Sequence, residues 1–530
     1  MKEADYVVVG AGSAGCVVAA RLSEAGARVI VLEAGPEDRH PMIHIPAGIP
    51  SLLQNPAVNW NYSAEPEEGT AGRRIHWPRG RVLGGSSSIN GMLYVRGNPQ
   101  DYNTWAQMGC HGWTYEEVLP FFKKSESYAN GSDEFRGRSG PLVVEDYRTI
   151  LPLTHMFVAA ARAAGFAYSD DLNGAQPEGV GYSQMTRRGR FRASTAQTFL
   201  AAARGRANLT VIPGAQCTGL LMEGTRCTGV KYTSGGGREE PIKVAKEVVV
   251  SGGAVNSPHI LQISGIGPAA HLESIGVAVV QDLPGVGGNL QDHYVVRVSH
   301  HMKDTVSINE LSRGFKVARE VLRYLFAGNG ALTFGVTTAQ VFCRSREGLA
   351  SPDLQLLFTP ASHDPEQFGV LERQAGASVA ICPTRPQSRG SIMAASSAPL
   401  ARPKIVPGYL TAEDDYRVLC AGLAHTRRIF AEQPLARHSV KETSPAVAVT
   451  DTRAFKEAAR KLGNTLYHPV GTCKMGTDAM AVVDERLRVR GIENLRVADA
   501  SVMPVLTTGN TNAPTIMIGE KAASMISEDG

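Results

Sequence analysis

Residues 5–35 read DYVVVGAGSAGCVVAARLSEAGARVIVLEAG, and this stretch decides the fold. Tyr6 to Val9 form a short β-branched run, the pattern of a strand buried on both faces. Gly10, Gly12 and Gly15 follow in GxGxxG spacing; Val17, Val18, Ala20, Arg21 and Leu22 then have helical character, and Gly26 ends the helix. Val29 to Leu32 make a second strand, closed by Glu33. The stretch is therefore a βαβ unit. Its first glycine permits a tight turn, and its second lets backbone approach a pyrophosphate. The third lets the helix pack on the strand, so that the amides around Ser13 and Ala14 face the phosphates. Glu33, with Ala34 beside it, can accept hydrogen bonds from a ribose hydroxyl. An acid there disfavours a 2′-phosphate, which points to FAD or NAD rather than NADP.

The remaining composition narrows the class. A chain of 530 residues is too long for one simple core and implies two or more domains. Its net charge of +4 is mild and scattered, so a nucleic-acid footprint is not expected. No apolar run has the length of a membrane span. MKEADYVVVG starts a strand at once, without the features of a signal peptide, and a cytoplasmic location is expected. Cysteines at 16, 110, 217, 227, 343, 382, 420 and 473 lack CxxC spacing, which argues against zinc ribbons and disulfide frameworks. No His/Cys/carboxylate cluster has metal-ligand spacing, so no metal is expected.

Two further stretches separate FAD from NAD. Residues 80–97 read GRVLGGSSSINGMLYVRG and residues 253–267 read GAVNSPHILQISGIG. Together with LEAG (32–35), NLQDH (289–293), RVADASVMP (496–504) and TTGNTNAPTIMIGEKAA (507–523), they resemble the signatures of the glucose–methanol–choline (GMC) flavoprotein oxidoreductases. The likeness runs from about residue 4 to 525 and is greatest to the branch of choline dehydrogenase and bacterial FAD alcohol dehydrogenases. It implies that Val82, Gly84, Gly85, Asn90, Gly91, Met92 and Leu93 lie along the FAD pyrophosphate and flavin. It also implies that Cys217 meets the adenine, and that Asp499, Ala500 and Thr511 belong to the cofactor site. Some relatives attach the flavin through a histidine where this chain has Ile89, so dissociable FAD is implied.

The resemblance implies an α/β architecture of two domains. A discontinuous Rossmann-like FAD-binding domain takes residues 1–155, 196–300 and 463–530. A substrate domain, with an antiparallel sheet backed by helices, takes 156–195 and 301–462. Strand-like runs at 378–384 and 391–397 and a helical run at 414–432 fit that domain. Residues 360–377 carry no clear periodicity and are a candidate access loop.

Near the C-terminus, residues 465–476 read TLYHPVGTCKMG. Alcohol oxidation needs a base for the hydroxyl proton, and a neutral imidazole suits that task. The resemblance makes His468 this base and Asn510, with Asn512 as runner-up, the group that hydrogen-bonds the alcohol oxygen. Tyr467 is expected to line the cavity. Cys473 could pair with His468 as a nucleophile, but Pro469 and Gly471 break any helix between them and no oxyanion-hole motif accompanies the pair. Cys473 and His293 are both expected to pack structurally. The expected activity is FAD-dependent oxidation of a primary alcohol to an aldehyde, with electrons passed to a quinone, a carrier or oxygen. A lyase or flavin photodecarboxylase on the same fold is the alternative. Which alcohol is oxidised, and in what oligomeric state, is not legible from residues alone.

Overall fold

The computed structural model describes residues 2–364, 370–445 and 451–530. Strand Lys2–Val9 sits centrally in a seven-stranded sheet and pairs in parallel with Val29–Glu33 on one side and Glu240–Val250 on the other. Leu209–Pro213 extends the parallel part beyond Val29–Glu33, and Leu495–Val497 pairs in parallel with the end of Glu240–Val250. Arg226–Ser234 and Ala215–Glu223 continue the sheet antiparallel. Val7, Val8, Val29, Val31 and Val248 to Val250 are all buried, as the uninterrupted β-branched runs require. Helix Gly15–Glu24 packs on this sheet, and the C-terminal helix Asn512–Asp529 packs beside it. A Cβ on Gly519 would come within 2.9 Å of the Ala14 carbonyl, so only glycine allows the two helices to approach this closely.

The second sheet is wholly antiparallel. Its order is Ser439–Ser444, Tyr294–Met302, Gly376–Pro383, Leu354–Thr359, Ala339–Cys343 and Gly179–Tyr182, with Asn464–Thr465 added at the start of Tyr294–Met302. Helices Glu413–Ala431 and Pro152–Ala163 cover it through Leu419, Leu423, Phe157 and Ala161. Strand Tyr294–Met302 and helix Pro152–Ala163 cross the expected boundaries at 300 and 155, and their side chains belong to the core of this second layer. The strand expected at 391–397 is only Ser391–Met393, paired with Lys404–Val406 in a separate ribbon. Gln262 ties that ribbon to helix Gly253–Ile263 by donating to the Ile392 carbonyl and accepting from the Ala394 amide. Of the expected access loop, residues 365–369 lie outside the described residues; His363 and Leu371 on either side form an antiparallel bridge.

Among the described residues all eight cysteines are free, no group of His, Cys, Asp and Glu is placed to hold a metal ion, and no helix is long and apolar enough to cross a membrane.

Candidate active site

One cavity of about 1060 Å³ runs from the glycine turn of the parallel sheet to the face of the antiparallel sheet. Gly10, Gly12, Ser13 and Ala14 form one end with Glu33 and Ala34, and Ala215, Gln216 and Cys217 close its side. The glycines divide their tasks. A Cβ on Gly15 would lie 1.9 Å from the Gly10 carbonyl, so Gly15 holds the turn together. A Cβ on Gly12 would meet nothing nearer than the Ser251 carbonyl at 4.0 Å and would instead fill the cavity, which leaves room for a phosphate against bare backbone. Glu33 is buried; its Oε2 accepts from the Ala11 amide at 3.0 Å and its Oε1 from the Gly35 amide at 2.8 Å. Burial pushes its carboxyl up to about 7, opposed by those two amides.

Asn90, Gly91, Met92 and Leu93 form the middle of the cavity with Gly85, and Asp499, Ala500, Asn510 and Thr511 face them. Gly15, Val82 and Gly84 do not reach the wall. Gly84 takes φ +86° and donates its amide to the Ala11 carbonyl, which locks the second loop onto the first. Val82 fills a small core with Ile43, Leu52, Val58 and Ile89 under that loop. Asp499 is buried and accepts from the Gly253 amide at 2.8 Å and the Ser257 hydroxyl at 2.6 Å, fixing the start of helix Gly253–Ile263. Cys217 is a buried thiol that burial pushes up to about 12, inert and apolar in effect.

His468 lies on the cavity wall, and its ring is held from both sides. His293 Nε2 is 3.2 Å from the Thr384 carbonyl, an acceptor only, so that nitrogen carries hydrogen. Burial lowers the His293 pKa to about 4, and the neutral ring therefore offers Nδ1 as an acceptor. His468 Nδ1 is 2.9 Å away and must be the donor. Burial, followed by His293 and Arg79, holds the pKa of His468 well below the ordinary imidazole range. Its Nε2 is therefore unprotonated, and its lone pair accepts from Asn510 Nδ2 at 3.1 Å. Asn510 Oδ1 is buried without a partner, an acceptor available to something in the cavity. Asn512 is engaged elsewhere: its Oδ1 accepts from Ser13 Oγ at 2.8 Å, joining the C-terminal helix to the glycine turn.

Asp292 sets the backbone of this turn. Its Oδ1 accepts from the His468 amide at 2.7 Å, and its Oδ2 accepts from Thr465 Oγ1 at 2.5 Å and from the Tyr409 hydroxyl. Arg79 Nη2 donates to the Tyr467 carbonyl at 2.7 Å, and Tyr467 is held at φ +69° on the cavity wall. A side chain in that left-handed region is strained and persists because its surroundings over-determine it. Sequence reasoning read NLQDH as a family signature and its histidine as packing. Asp292, His293 and Arg79 were missed as supports of His468, and the juxtaposition of Asp and His in that motif was the available signal. Cys473 is buried in the core of the parallel sheet, its thiol pushed well up by burial, and is no nucleophile.

The cavity fits FAD on three observations: the bare backbone at Gly12, the buried Glu33 carboxyl with lone pairs left over beside the glycine turn, and the unpartnered Asn510 Oδ1 at the far end. Comparison with known proteins agrees. Family models described as GMC oxidoreductase match residues 4–295 and 386–519. The chain is 42% identical to the mitochondrial choline dehydrogenase of Homo sapiens, over 99% of this chain and 90% of that protein. It is 40% identical to an alcohol dehydrogenase (acceptor) of Pseudomonas putida, over 98% of this chain and 95% of that one. Among solved structures it resembles pyridoxine 4-oxidase from Mesorbium loti, with TM-score 0.89 and 31% identity over 98% of each chain. A formate oxidase of Aspergillus oryzae RIB40 superposes with TM-score 0.93 at 25% identity, over 100% of this chain and 98% of that one. The chain belongs to the GMC oxidoreductase family and is an FAD-dependent oxidoreductase of alcohols.

Proposed function

We propose that the enzyme oxidises a primary alcohol to its aldehyde with His468 as the sole base. One observation carries this reading: His468 Nε2 bears an unprotonated lone pair on the cavity wall, with the Asn510 amide 3.1 Å from it. The alcohol hydroxyl donates to Nε2, and Asn510 Nδ2 turns its hydrogen to the alcohol oxygen. As that oxygen gains charge the amide stabilises it, and Nε2 takes the proton. FAD, when bound, supplies the acceptor for the hydride leaving the carbinol carbon. Asparagine cannot exchange protons, so Asn510 orients and polarises. The lyase or photodecarboxylase reading gains no support from the relatives, which are named for alcohol oxidation. FAD is held without a covalent bond in this reading, because Ile89 stands where the resemblance puts the attaching histidine of some relatives and its side chain cannot form that bond. The division of the chain into FAD-binding and substrate parts belongs to the same proposal, with the expected boundaries at 155 and 300 moved to about 151 and 293 so that helix Pro152–Ala163 and strand Tyr294–Met302 fall in the substrate part.

The substrate we assign is uncharged or anionic rather than a quaternary ammonium. Arg297 projects from strand Tyr294–Met302 onto the cavity wall, and among the described residues its guanidinium has no hydrogen bond or ion pair. Its charge reaches Tyr467, whose hydroxyl pKa it lowers against the effect of burial. A cation placed in this arm would be repelled. The relatives' names divide between an alcohol dehydrogenase (acceptor) and oxygen-dependent choline dehydrogenases, so a quinone or carrier and oxygen both stand as acceptors. The decisive experiment is anaerobic flavin reduction in His468→Ala, expected to fall by at least ~10²-fold with FAD retained; an unchanged rate refutes the assignment. A panel including choline, uncharged alcohols and hydroxy acids tests Arg297, and aerobic peroxide release tests the acceptor.

A further inference from the structure

Helix Gly314–Leu322, continued by Arg323–Ala327, presents the wrong face to water. Phe315 is 83% exposed, Phe326 85%, Leu322 54% and Leu325 52%. At the helical rotation per residue, Phe315, Leu322 and Phe326 fall within an arc of about 40°. The opposite side holds the helix to the protein. Buried Glu320 accepts from the Ala331 amide at 2.8 Å and pairs with Arg323 at 3.1 Å, and the Tyr324 hydroxyl donates to the Arg190 carbonyl at 3.2 Å. The stripe therefore points directly away from the core, where two bare phenylalanines carry a hydrophobic cost that no fold contact offsets.

Cations flank the stripe along one side. Lys316, Arg319 and Arg323 lie along its edge, and Arg190 donates to the Leu325 carbonyl at 2.6 Å. The carboxylates near it are Glu320, which is buried, and Glu310, 3.9 Å from Lys316. We propose that this face docks peripherally on an anionic phospholipid bilayer. Phe315, Leu322 and Phe326 enter the acyl boundary, and the lysine and arginine stems lie along it with their heads at the phosphates. A second copy docked here by a two-fold axis would oppose two basic rims, which makes self-association the weaker occupant. Residues just before and after the helix, Ile308, Ser312, Ala331 and Phe334, line the catalytic cavity. Docking therefore brings the cavity mouth to the membrane surface. The surface itself does not depend on the roles assigned to His468 and Asn510.

The FAD-loaded enzyme is floated with vesicles of phosphatidylcholine mixed with phosphatidylglycerol, and with phosphatidylcholine alone. The expected result is flotation with the mixed vesicles, weakened by salt and by omission of phosphatidylglycerol. Phe315→Ser/Phe326→Ser should lower partitioning at least ~10-fold, and Lys316→Glu/Arg319→Glu should do so independently. FAD content and turnover with a water-soluble acceptor should stay unchanged in both. Absence of flotation with the mixed vesicles overturns the proposal, as does flotation indifferent to either pair. Loss of a dimer in solution on Phe315→Ser/Phe326→Ser, without vesicle binding by the parent enzyme, assigns the face to a second copy instead.

Discussion

His293 Nδ1 and His468 Nδ1 stand 2.9 Å apart, two buried imidazoles of which only one can donate. The Thr384 carbonyl decides which, because it demands the hydrogen on His293 Nε2. A backbone carbonyl just past the end of strand Gly376–Pro383 thus sets the tautomer of a ring on the cavity wall. The unprotonated Nε2 of His468, which accepts from Asn510, is the last link of a chain through His293.

Replacing His293 tests that chain. His293→Leu removes the acceptor for His468 Nδ1, so the ring is free to rotate or to change tautomer. Flavin reduction should fall ~10–10²-fold, the scale seen when a hydrogen-bonding support of a functional histidine is lost. His293→Asn keeps an acceptor and a donor on one side chain and should recover much of the rate. Equal losses in the two variants, with FAD content intact, would reduce His293 to packing.

The lowered pKa of His468 has a signed consequence for pH. A base held well below the ordinary imidazole range stays deprotonated as pH falls through that range. Flavin reduction in the FAD-loaded enzyme should therefore change by less than ~3-fold between about pH 8 and 6.5. Stability runs the other way. The unfolded chain takes up protons on His468 and His293 below about pH 6.5 while the folded chain does not, so folding weakens as pH drops further. Stopped-flow reduction and thermal melts over the same buffers check both statements, and a steep acid limb above pH 7 in the reduction rate would contradict the first.

The glycine turn was legible because strand, glycine spacing and acid are local, and local sterics dictate what they build. His468 drew attention through its motif, and the structure puts it on the cavity wall beside Asn510; Asn512 is turned away to Ser13 because the C-terminal helix starts there. The supports of His468 were not legible. Asp292 and His293 lie 176 and 175 residues from it, and their meaning depends on which atom faces which. Gly84 and Val82 show a related limit: spacing marks a loop near a ligand without separating the wall from the residues that brace it. The exposed stripe at 314–327 carries ordinary helical periodicity, and only its packed side reveals that the periodicity faces outward.

Glu126 offers a test of stability away from the chemistry. Arg136 Nε lies 2.9 Å and Arg96 Nη2 3.0 Å from its carboxylate, with all three side chains buried. Burial pushes the carboxyl up, and the two guanidiniums overcome this and bring it below its usual value. Glu126→Ala leaves two cations in the interior with Asp171, 2.7 Å from Arg136, as their remaining close anion. The expected cost is ~3–5 kcal/mol, read from denaturant unfolding of the FAD-loaded enzyme. A loss under ~1 kcal/mol would mean that water reaches the cluster on removal of the carboxylate.

The two glycines of the turn should fail in different ways. Gly15→Ala puts a methyl group 1.9 Å from the Gly10 carbonyl, both fixed by backbone, so the turn itself must open. The protein should lose thermal stability whether or not FAD is present. Gly12→Ala meets no atom nearer than 4.0 Å and leaves the fold intact, but its methyl occupies the space against bare backbone where we propose the pyrophosphate lies. FAD affinity should fall at least ~10-fold in Gly12→Ala, while the melting temperature of the FAD-free protein stays within a few degrees of the parent. Flavin fluorescence titration against unfolding of the stripped enzyme separates the two. A Gly12→Ala enzyme that binds FAD as tightly as the parent would move the pyrophosphate off this turn.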